Sequence, residues 1–273
     1  MPCPHCAATA TSEQPRRTAR GYRTCRYRAC RRVCNERTGT AYNHWQYPTA
    51  LVLLVVLWRR RDKLRRRDLA ALFLERGFVF SHETARDGAT RCAPLLADRL
   101  RAKRRGQGGT KWHADETSVR VNGAWCSRYR AIDRDGNLVE ALLSKKRAMA
   151  AARRCFVRAR DTAGQVPAHV TADGHDAYPR ASRETVGESV HHRTSRDKNK
   201  RSEHDHRGLQ QRSYPMRGFG SCDSAARCCS ACEEQRQYCR AQARPGAIVS
   251  LADRRRRFQD RWAAVMAALT AAC

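Results

Sequence analysis

Hydrophobic and polar positions predict a helical segment in the first half of the chain. Residues 50–58 form an uninterrupted apolar run, and 68–76 (DLAALFLER) carry apolar residues at helical spacing ahead of Gly77, a common helix stop. Ser81 is a good N-cap for a third helix, although Gly88 inside it costs about 1 kcal/mol relative to alanine. Three short, arginine-rich helices predict a helix-turn-helix-like DNA reader; a helical bundle that merely links two domains is the alternative.

A different pattern follows a basic, glycine-rich segment, 101–109, which we expect to be a linker. Apolar and polar residues alternate over 111–121, and Asn122-Gly123 is a strong hairpin signal. Further strands are predicted at 124–132, 138–143, 168–172 and near 190–193. Four helices are predicted: one at 146–159, a short one between the last two strands, a long one from about residue 200, and one at 254–272. The order βββαβαβα predicts an α/β fold, with a mixed sheet covered by helices.

Charge indicates the class of partner. The 273 residues include 55 Lys and Arg against 26 Asp and Glu, a formal net charge of +29. Such a charge favours a polyanion, and arginine suits phosphate because its planar fork binds two oxygens at once. A genome that loads protein surfaces with arginine is the alternative explanation. The length suits about two domains and a small module.

Composition also bears on the compartment. The longest apolar run has nine residues, whereas a membrane span needs about 20, and no secretory signal is recognisable at the start, so we expect a cytoplasmic protein without membrane contact. Fourteen cysteines are many for such a compartment. In a reducing environment they would be metal ligands or small core residues rather than disulfides.

Three carboxylates are candidates for a metal-dependent site. Strand alternation places Asp115 on a face with Val119 and Val121, where an unpaired carboxylate is costly. Asp173 follows a buried strand, and Glu203 lies early in the late helix. Together they could hold a pair of Mg²⁺ ions, which activate a hydroxyl or water in phosphodiester transfer. The alternative is that these are three unrelated surface carboxylates that hold no metal.

Arginine supports the first interpretation, because Arg207 shares a helical face with Glu203. A carboxylate beside a phosphate-seeking arginine suits a site that handles a DNA backbone. We expect Arg207 and Arg212 on the late helix, and Arg86 and Arg91 in the helical segment, to contact DNA.

Long strings in this chain resemble one protein family. WHADETSVRVNGAW, VTADGHDAYPRA and EHDHRGLQQRSYPMRGFGS follow one another as in bacterial insertion-sequence DDE transposases of the IS-six type. The likeness continues in CPHC and NERTGTAYN near the start and SLADRRRRFQDRW near the end. It implies a ribonuclease H-like catalytic domain with the triad Asp115, Asp173 and Glu203.

The resemblance also implies an activity. Family members bind terminal inverted repeats, nick 3′ ends and join them to target DNA, producing cointegrates. The implied cofactors are two Mg²⁺ ions, or Mn²⁺, with Zn²⁺ in an N-terminal module. The implied partners are terminal-repeat and target DNA and at least a second copy of the chain, in the bacterial cytoplasm at the nucleoid.

A zinc ribbon of this family needs two Cys-x-x-Cys knuckles. Cys3 and Cys6 form the first; in the second, Tyr27 replaces the first cysteine and Cys30 remains. Either Cys25 or Cys34 could supply the fourth thiolate, so both stay candidates. The implied division is a zinc-ribbon-like module over 1–47, a helix-turn-helix-like segment over 48–105, a catalytic domain over 110–245 and a C-terminal helix over 246–273.

Departures from the family pattern suggest a degenerate copy. Arg128 stands on a strand where an apolar residue is usual, and Lys198 and Ser202 replace packing residues before Glu203. In the helical segment, Arg60, Arg65 and Gly88 depart likewise. Five cysteines occupy positions where the family has phenylalanine: Cys155, Cys222, Cys228, Cys232 and Cys239.

Each such loss costs about 3–5 kcal/mol when the cavity cannot collapse. Three hypotheses therefore stand: an active transposase, an inactive copy that still binds DNA, and a non-enzymatic basic protein of the ribosomal or chromatin kind. The ordered carboxylate motifs argue against the third.

Overall fold

The computed structural model describes residues 2–40, 42–62, 64–172, 177–194, 211, 218–240 and 249–271. Its strands are β1 (Thr11–Gln14), β2 (Thr24–Tyr27), β3 (Val33–Asn35), β4 (Lys111–Val121), β5 (Ala124–Asp133), β6 (Leu138–Ser144), β7 (His169–Ala172) and β8 (His191–Thr194). Its helices are α1 (Thr49–Arg61), α2 (Arg66–Leu74), α3 (His82–Lys103), α4 (Met149–Ala163), α5 (Ala177–Val186), α6 (Cys222–Cys239) and α7 (Leu251–Ala271).

The N-terminal module is a small antiparallel sheet in the order β1-β2-β3. Its interior holds the buried residues Cys3, Tyr27 and Cys34, against which Cys30 packs. A core of this size stabilises little by itself, which is why modules of this kind commonly depend on a metal.

The helical segment contains the three predicted helices. Gly77, with φ of 78°, ends α2, and the Ser81 hydroxyl accepts a hydrogen bond from the Thr84 amide at 3.2 Å to begin α3. Tight aromatic packing joins α1 to α2, since the rings of Trp58 and Phe73 stack with centroids 5.1 Å apart. Helix α3 is longer than predicted: it runs through Pro94 to Lys103, so the start of the predicted linker is helical.

The second sheet has the order β6-β5-β4-β7-β8 in the described residues. Strands β4, β5 and β6 are antiparallel neighbours, whereas β7 runs parallel to β4 and β8 parallel to β7. Asn122 and Gly123 both have positive φ, 46° and 81°, as the tight β4–β5 hairpin requires. This topology confirms the predicted mixed α/β, ribonuclease H-like fold.

Helices cover both faces of this sheet. One face packs Trp112, Tyr129 and Val170 against Phe156 of α4 and Tyr178 of α5. The opposite face packs against α6, which sequence patterning did not separate from the long helix expected from about residue 200. Residues 195–210, where that helix was expected to begin, lie outside the described residues.

The C-terminal helix α7, predicted over 254–272, packs on the helical segment. Val265 belongs to the cluster of Leu53, Val56 and Leu96, and the Arg261 guanidinium donates to the Tyr238 carbonyl at 2.8 Å. No helix in the described part of the chain is long and apolar enough to cross a membrane.

Candidate active site and metal centre

Asp115 lies in the middle of β4 and is buried, with 7% of its surface exposed. Alternation places it on the face that carries Val119 and Val121, as predicted, and that face packs against α6. Its register partner on β5 is Arg130, so the end of the face nearest Asp115 is charged rather than apolar. Buried carboxylates require such polar surroundings.

The neighbouring carboxylate, Glu116, is oriented to the other face. It pairs with Arg147, with Nε and Oε2 3.0 Å apart. The two adjacent acids of β4 therefore have different environments, and only Asp115 lies on the α6 face.

The parallel pairing of β4 with β7 bears on the second carboxylate. Ala114 is in register with Ala172. In the sequence, Asp115 follows Ala114 and Asp173 follows Ala172. Asp173 itself lies outside the described residues, as do Glu203, Arg207 and Arg212, so the structure tests neither the triad nor those two DNA contacts.

The remaining predicted DNA contacts lie exposed on α3. Arg86 pairs with Glu83 at 2.7 Å and with Asp87 at 3.6 Å, and Arg91 lies over the Trp45 ring at 5.6 Å. Neither residue is part of the sheet that carries Asp115.

Arg128, which we expected to disrupt its strand, belongs to a buried ion-pair network. Its Nη2 lies 2.7 Å from Oε1 of Glu233, and Nε of Arg130 lies 3.1 Å from Oε2 of the same carboxylate. Burial raises the pKa of Glu233, but Arg130 and Arg128 outweigh this effect and lower it to about 2. Arg128 therefore has an ionic partner on α6 and does not leave an uncompensated charge in the core.

Sequence inspection missed Glu233 as a partner. Its ion-pair partners lie 103 and 105 residues away along the chain, and it is surrounded by cysteine and glutamine rather than by a helical apolar stripe. The only available signal was a pair of arginines on a strand that was otherwise expected to be apolar.

Three thiols of the N-terminal module converge as predicted. The Sγ atoms of Cys3, Cys6 and Cys30 all lie within 4.8 Å of one another, and those of Cys3 and Cys30 are 3.6 Å apart. Four thiolates at about 2.3 Å from a tetrahedral zinc ion would be separated by about 3.8 Å, so the spacing fits zinc.

Two turns of the same shape build this cluster. The Ala7 amide donates to the Cys3 carbonyl at 2.9 Å, and the Arg31 amide donates to the Tyr27 carbonyl at the same distance. Ala7 and Arg31 have left-handed φ angles of 57° and 55°. Tyr27 therefore occupies in the second turn the position that Cys3 occupies in the first.

The surroundings of one thiol in this cluster favour the thiolate form that binds a metal. Burial disfavours the Cys3 thiolate, but hydrogen bonds from His5 and Cys6 outweigh it and lower the pKa of Cys3 to about 7. Cys34 is buried beside Cys3, and burial raises the pKa of its thiol. Cys25, its register partner on β2, is half-buried, and neither Cys25 nor Cys34 belongs to the three-thiol cluster.

Comparison with known proteins agrees with the topology. Residues 109–242 match the family model described as a DDE domain. This stretch, about half of the chain, is called the DDE domain below, and the match supports the resemblance to the IS-six transposases.

Curated relatives give the same result at low identity. The transposase for insertion sequence-like element IS431mec of Staphylococcus aureus strain N315 is 29% identical over 106 residues, 39% of this chain and 47% of the relative. The transposase for insertion sequence element IS257 in transposon Tn4003 of Staphylococcus aureus is 28% identical over 106 residues. The chain spans about half the length of these relatives.

Solved structures with partial similarity are also found, and one of them is described here. It is a cryo-EM structure of the simian T-cell lymphotropic virus intasome in complex with PP2A regulatory subunit B56 gamma. Its TM-score is 0.37 at 17% identity, with 47% of this chain and 49% of that chain covered.

Proposed function

We propose that this protein is a DNA transposase that cleaves 3′ ends and transfers strands through Asp115, Asp173 and Glu203. The observation that carries the proposal is the position of Asp115: a buried carboxylate in the middle of the central strand of a DDE domain. The next residue after β7 is Asp173, and the register of Ala172 with Ala114 favours its closeness to Asp115.

These residues suit a divalent cation. Carboxylate oxygens are preferred ligands of Mg²⁺ and Mn²⁺, and a strand interior holds Asp115 in one orientation. Bound metal would supply Lewis-acid stabilisation of charge on the scissile phosphate. The contribution of the chain is to fix the carboxylates and to position the DNA backbone by means of its arginines.

DNA is the substrate that the charge favours. A formal net charge of +29 gives strong attraction to phosphate, and the helical segment presents Arg86 and Arg91 at its surface. The same proposal implies three partners in the bacterial cytoplasm: terminal inverted repeats, target DNA and a second copy of the chain.

Cleavage of a terminal-repeat duplex in Mg²⁺ tests this function. Asp115→Asn should lower the nicking rate at least about 100-fold, because it removes a metal ligand and leaves the strand intact. Glu116→Gln is the matched control, since the neighbouring acid lies on the opposite face, and it should retain the rate within a few-fold. Equal rates for Asp115→Asn and wild type would refute the assignment.

We also propose that the N-terminal module binds Zn²⁺ through Cys3, Cys6, Cys30 and Cys34. Cys34 is preferred to Cys25 because it is buried in the same cluster as Cys3. One zinc ion per chain should copurify, and Cys34→Ser should weaken zinc retention in a chelator competition more than Cys25→Ser does. Equal retention by Cys34→Ser and wild type would exclude Cys34.

An inactive copy that binds DNA without cutting it is the second candidate. The small buried thiols of Cys155 and Cys232, which stand where the family has phenylalanine, favour it, because small side chains fill less of a core. Retained DNA binding with no Mg²⁺-dependent nicking by the wild-type chain would establish this alternative.

A further inference from the structure

A groove lined by arginines runs along α6, between the helical segment and the DDE domain. Its first part encloses about 310 Å³. The cations that line this part come from four helices: Arg59, Arg60, Arg66, Arg86 and Arg227.

A second cavity adjoins the first and is treated as the second part of the groove. It encloses about 610 Å³ and shares Arg60 and Cys232 with the first part. Further cations enter it from α6 and from the beginning of α7, among them Arg236, Arg254 and Arg255.

Counter-charge is scarce within the groove. None of the described residues that line either part is acidic. Two acids outside the lining pair with lining arginines: Asp62 is 4.0 Å from Arg61, and Glu83 is 2.7 Å from Arg86. So dense a group of like charges is stabilised when an anion occupies the space between them.

The interior of the groove is also partly desolvated. Arg60 is only 6% exposed, and burial, together with repulsion from Arg66, lowers the pKa of Arg59. Phosphate contacts gain strength in such surroundings because water competes less for the guanidinium groups.

We propose that this groove binds a stretch of DNA backbone, holding it between the helical segment and the DDE domain. Helix α6 has 18 residues and is therefore about 27 Å long, and duplex DNA carries about one charge per 1.7 Å of its axis. A continuous polyanion fits two adjoining arginine-lined cavities better than an isolated phosphate does. The inference rests on the proposed function, since it assigns that function a DNA contact surface.

A salt titration of DNA affinity tests the groove. The variant combines Arg66→Gln, Arg227→Gln and Arg255→Gln; the control combines Arg134→Gln, Arg180→Gln and Arg183→Gln, which remove the same charge outside the groove. The groove variant should bind a 30-base-pair duplex about 10- to 100-fold more weakly at about 0.1 M salt, and the slope of log K against log salt should fall by about 2 to 3. The control should change the slope by less than 1.

A footprint on the wild-type chain gives a second measurement that needs no arginine variant. Cys228 lies in the first part of the groove, whereas Cys222, on the same helix, does not line it. Saturating duplex should slow maleimide alkylation of Cys228 at least fivefold and leave that of Cys222 unchanged, as measured by peptide mass spectrometry.

The outcomes separate the two proposals. If the wild-type chain binds no DNA, both the groove and the proposed function fail. If the wild type binds DNA while Cys228 stays unprotected and the groove variant keeps the wild-type slope, the groove inference fails and the proposed function stands. If the groove variant does not fold, the Cys228 footprint alone decides.

Discussion

At the scale of single residues, the most informative finding is that the one carboxylate of Glu233 pairs with two buried arginines inside the DDE domain. Arg128 and Arg130 are 1% and 2% exposed, and both contact this one carboxylate. Removal of one partner from a buried ion pair is costly because the remaining charge loses its compensation. Through this network, Arg128, an unusual residue for a buried strand, contributes to the interface between β5 and α6.

Glu233→Gln should destabilise the protein by about 3–5 kcal/mol in chemical denaturation, because it removes the carboxylate that both buried guanidinium groups contact. Glu184→Gln is the matched control; Glu184 forms a partly exposed pair with Arg180 and should cost less than about 1 kcal/mol. A loss at Glu233 no larger than the loss at Glu184 would contradict the network.

The same residue predicts a pH dependence. The folded-state pKa of Glu233 lies near 2, below the ordinary 4.5, so its contribution is fully present above pH 4.5 and is lost as the pH falls towards 2. Between pH 5 and 2.5, the unfolding free energy of the wild type should fall more steeply than that of a Glu233→Leu, Arg128→Met, Arg130→Met variant. Parallel curves would exclude this contribution.

At the scale of elements, ion pairs between side chains attach the C-terminal end of α3 to the DDE domain. Arg104 forms two 2.6 Å contacts with the Glu234 carboxylate and donates to the carbonyls of Leu138 and Val139. Arg101 pairs with the buried Glu140 of β6. The segment expected to be a linker is therefore held at its beginning, which couples the helical segment to the sheet.

Arg104→Met should loosen this attachment, because it leaves Glu234 buried without its main cation. Amide hydrogen exchange should accelerate at residues 100–109 and in α6, and limited proteolysis should cut near residue 105 sooner. Arg105→Met, at the adjacent exposed position, should exchange like the wild type. Equal protection in the two variants would contradict the attachment.

At the scale of the whole molecule, local signals predicted most of the fold. Alternation over 111–121 predicted β4, the Asn122-Gly123 turn predicted its hairpin with β5, and Ser81 and Gly77 predicted the boundaries of helices. Helix α6 was not predicted as a separate element, because its cysteine-rich sequence has no clear apolar stripe. The ion pairs that join α6 to the sheet and to α3 could not be predicted, since their partners lie more than 100 residues apart.

The candidate site was predictable to a similar degree. Strand alternation, a short-range property, indicated the environment of Asp115, whereas the family resemblance implied the convergence of Cys30 with Cys3 and Cys6. The choice between Cys25 and Cys34 needed the burial of Cys34 beside Cys3, which spacing alone does not determine. The triad as a whole remains a prediction.

The central claim is that Asp115, Asp173 and Glu203 hold divalent ions together, and Mn²⁺ binding tests it whether or not the chain cuts DNA. Electron paramagnetic resonance of free Mn²⁺, with an uncleavable duplex present, should show about two ions bound per chain in the wild type and in Glu116→Gln. Asp115→Asn, Asp173→Asn and Glu203→Gln should each release at least one ion. Unchanged Mn²⁺ binding in all three variants would contradict the account.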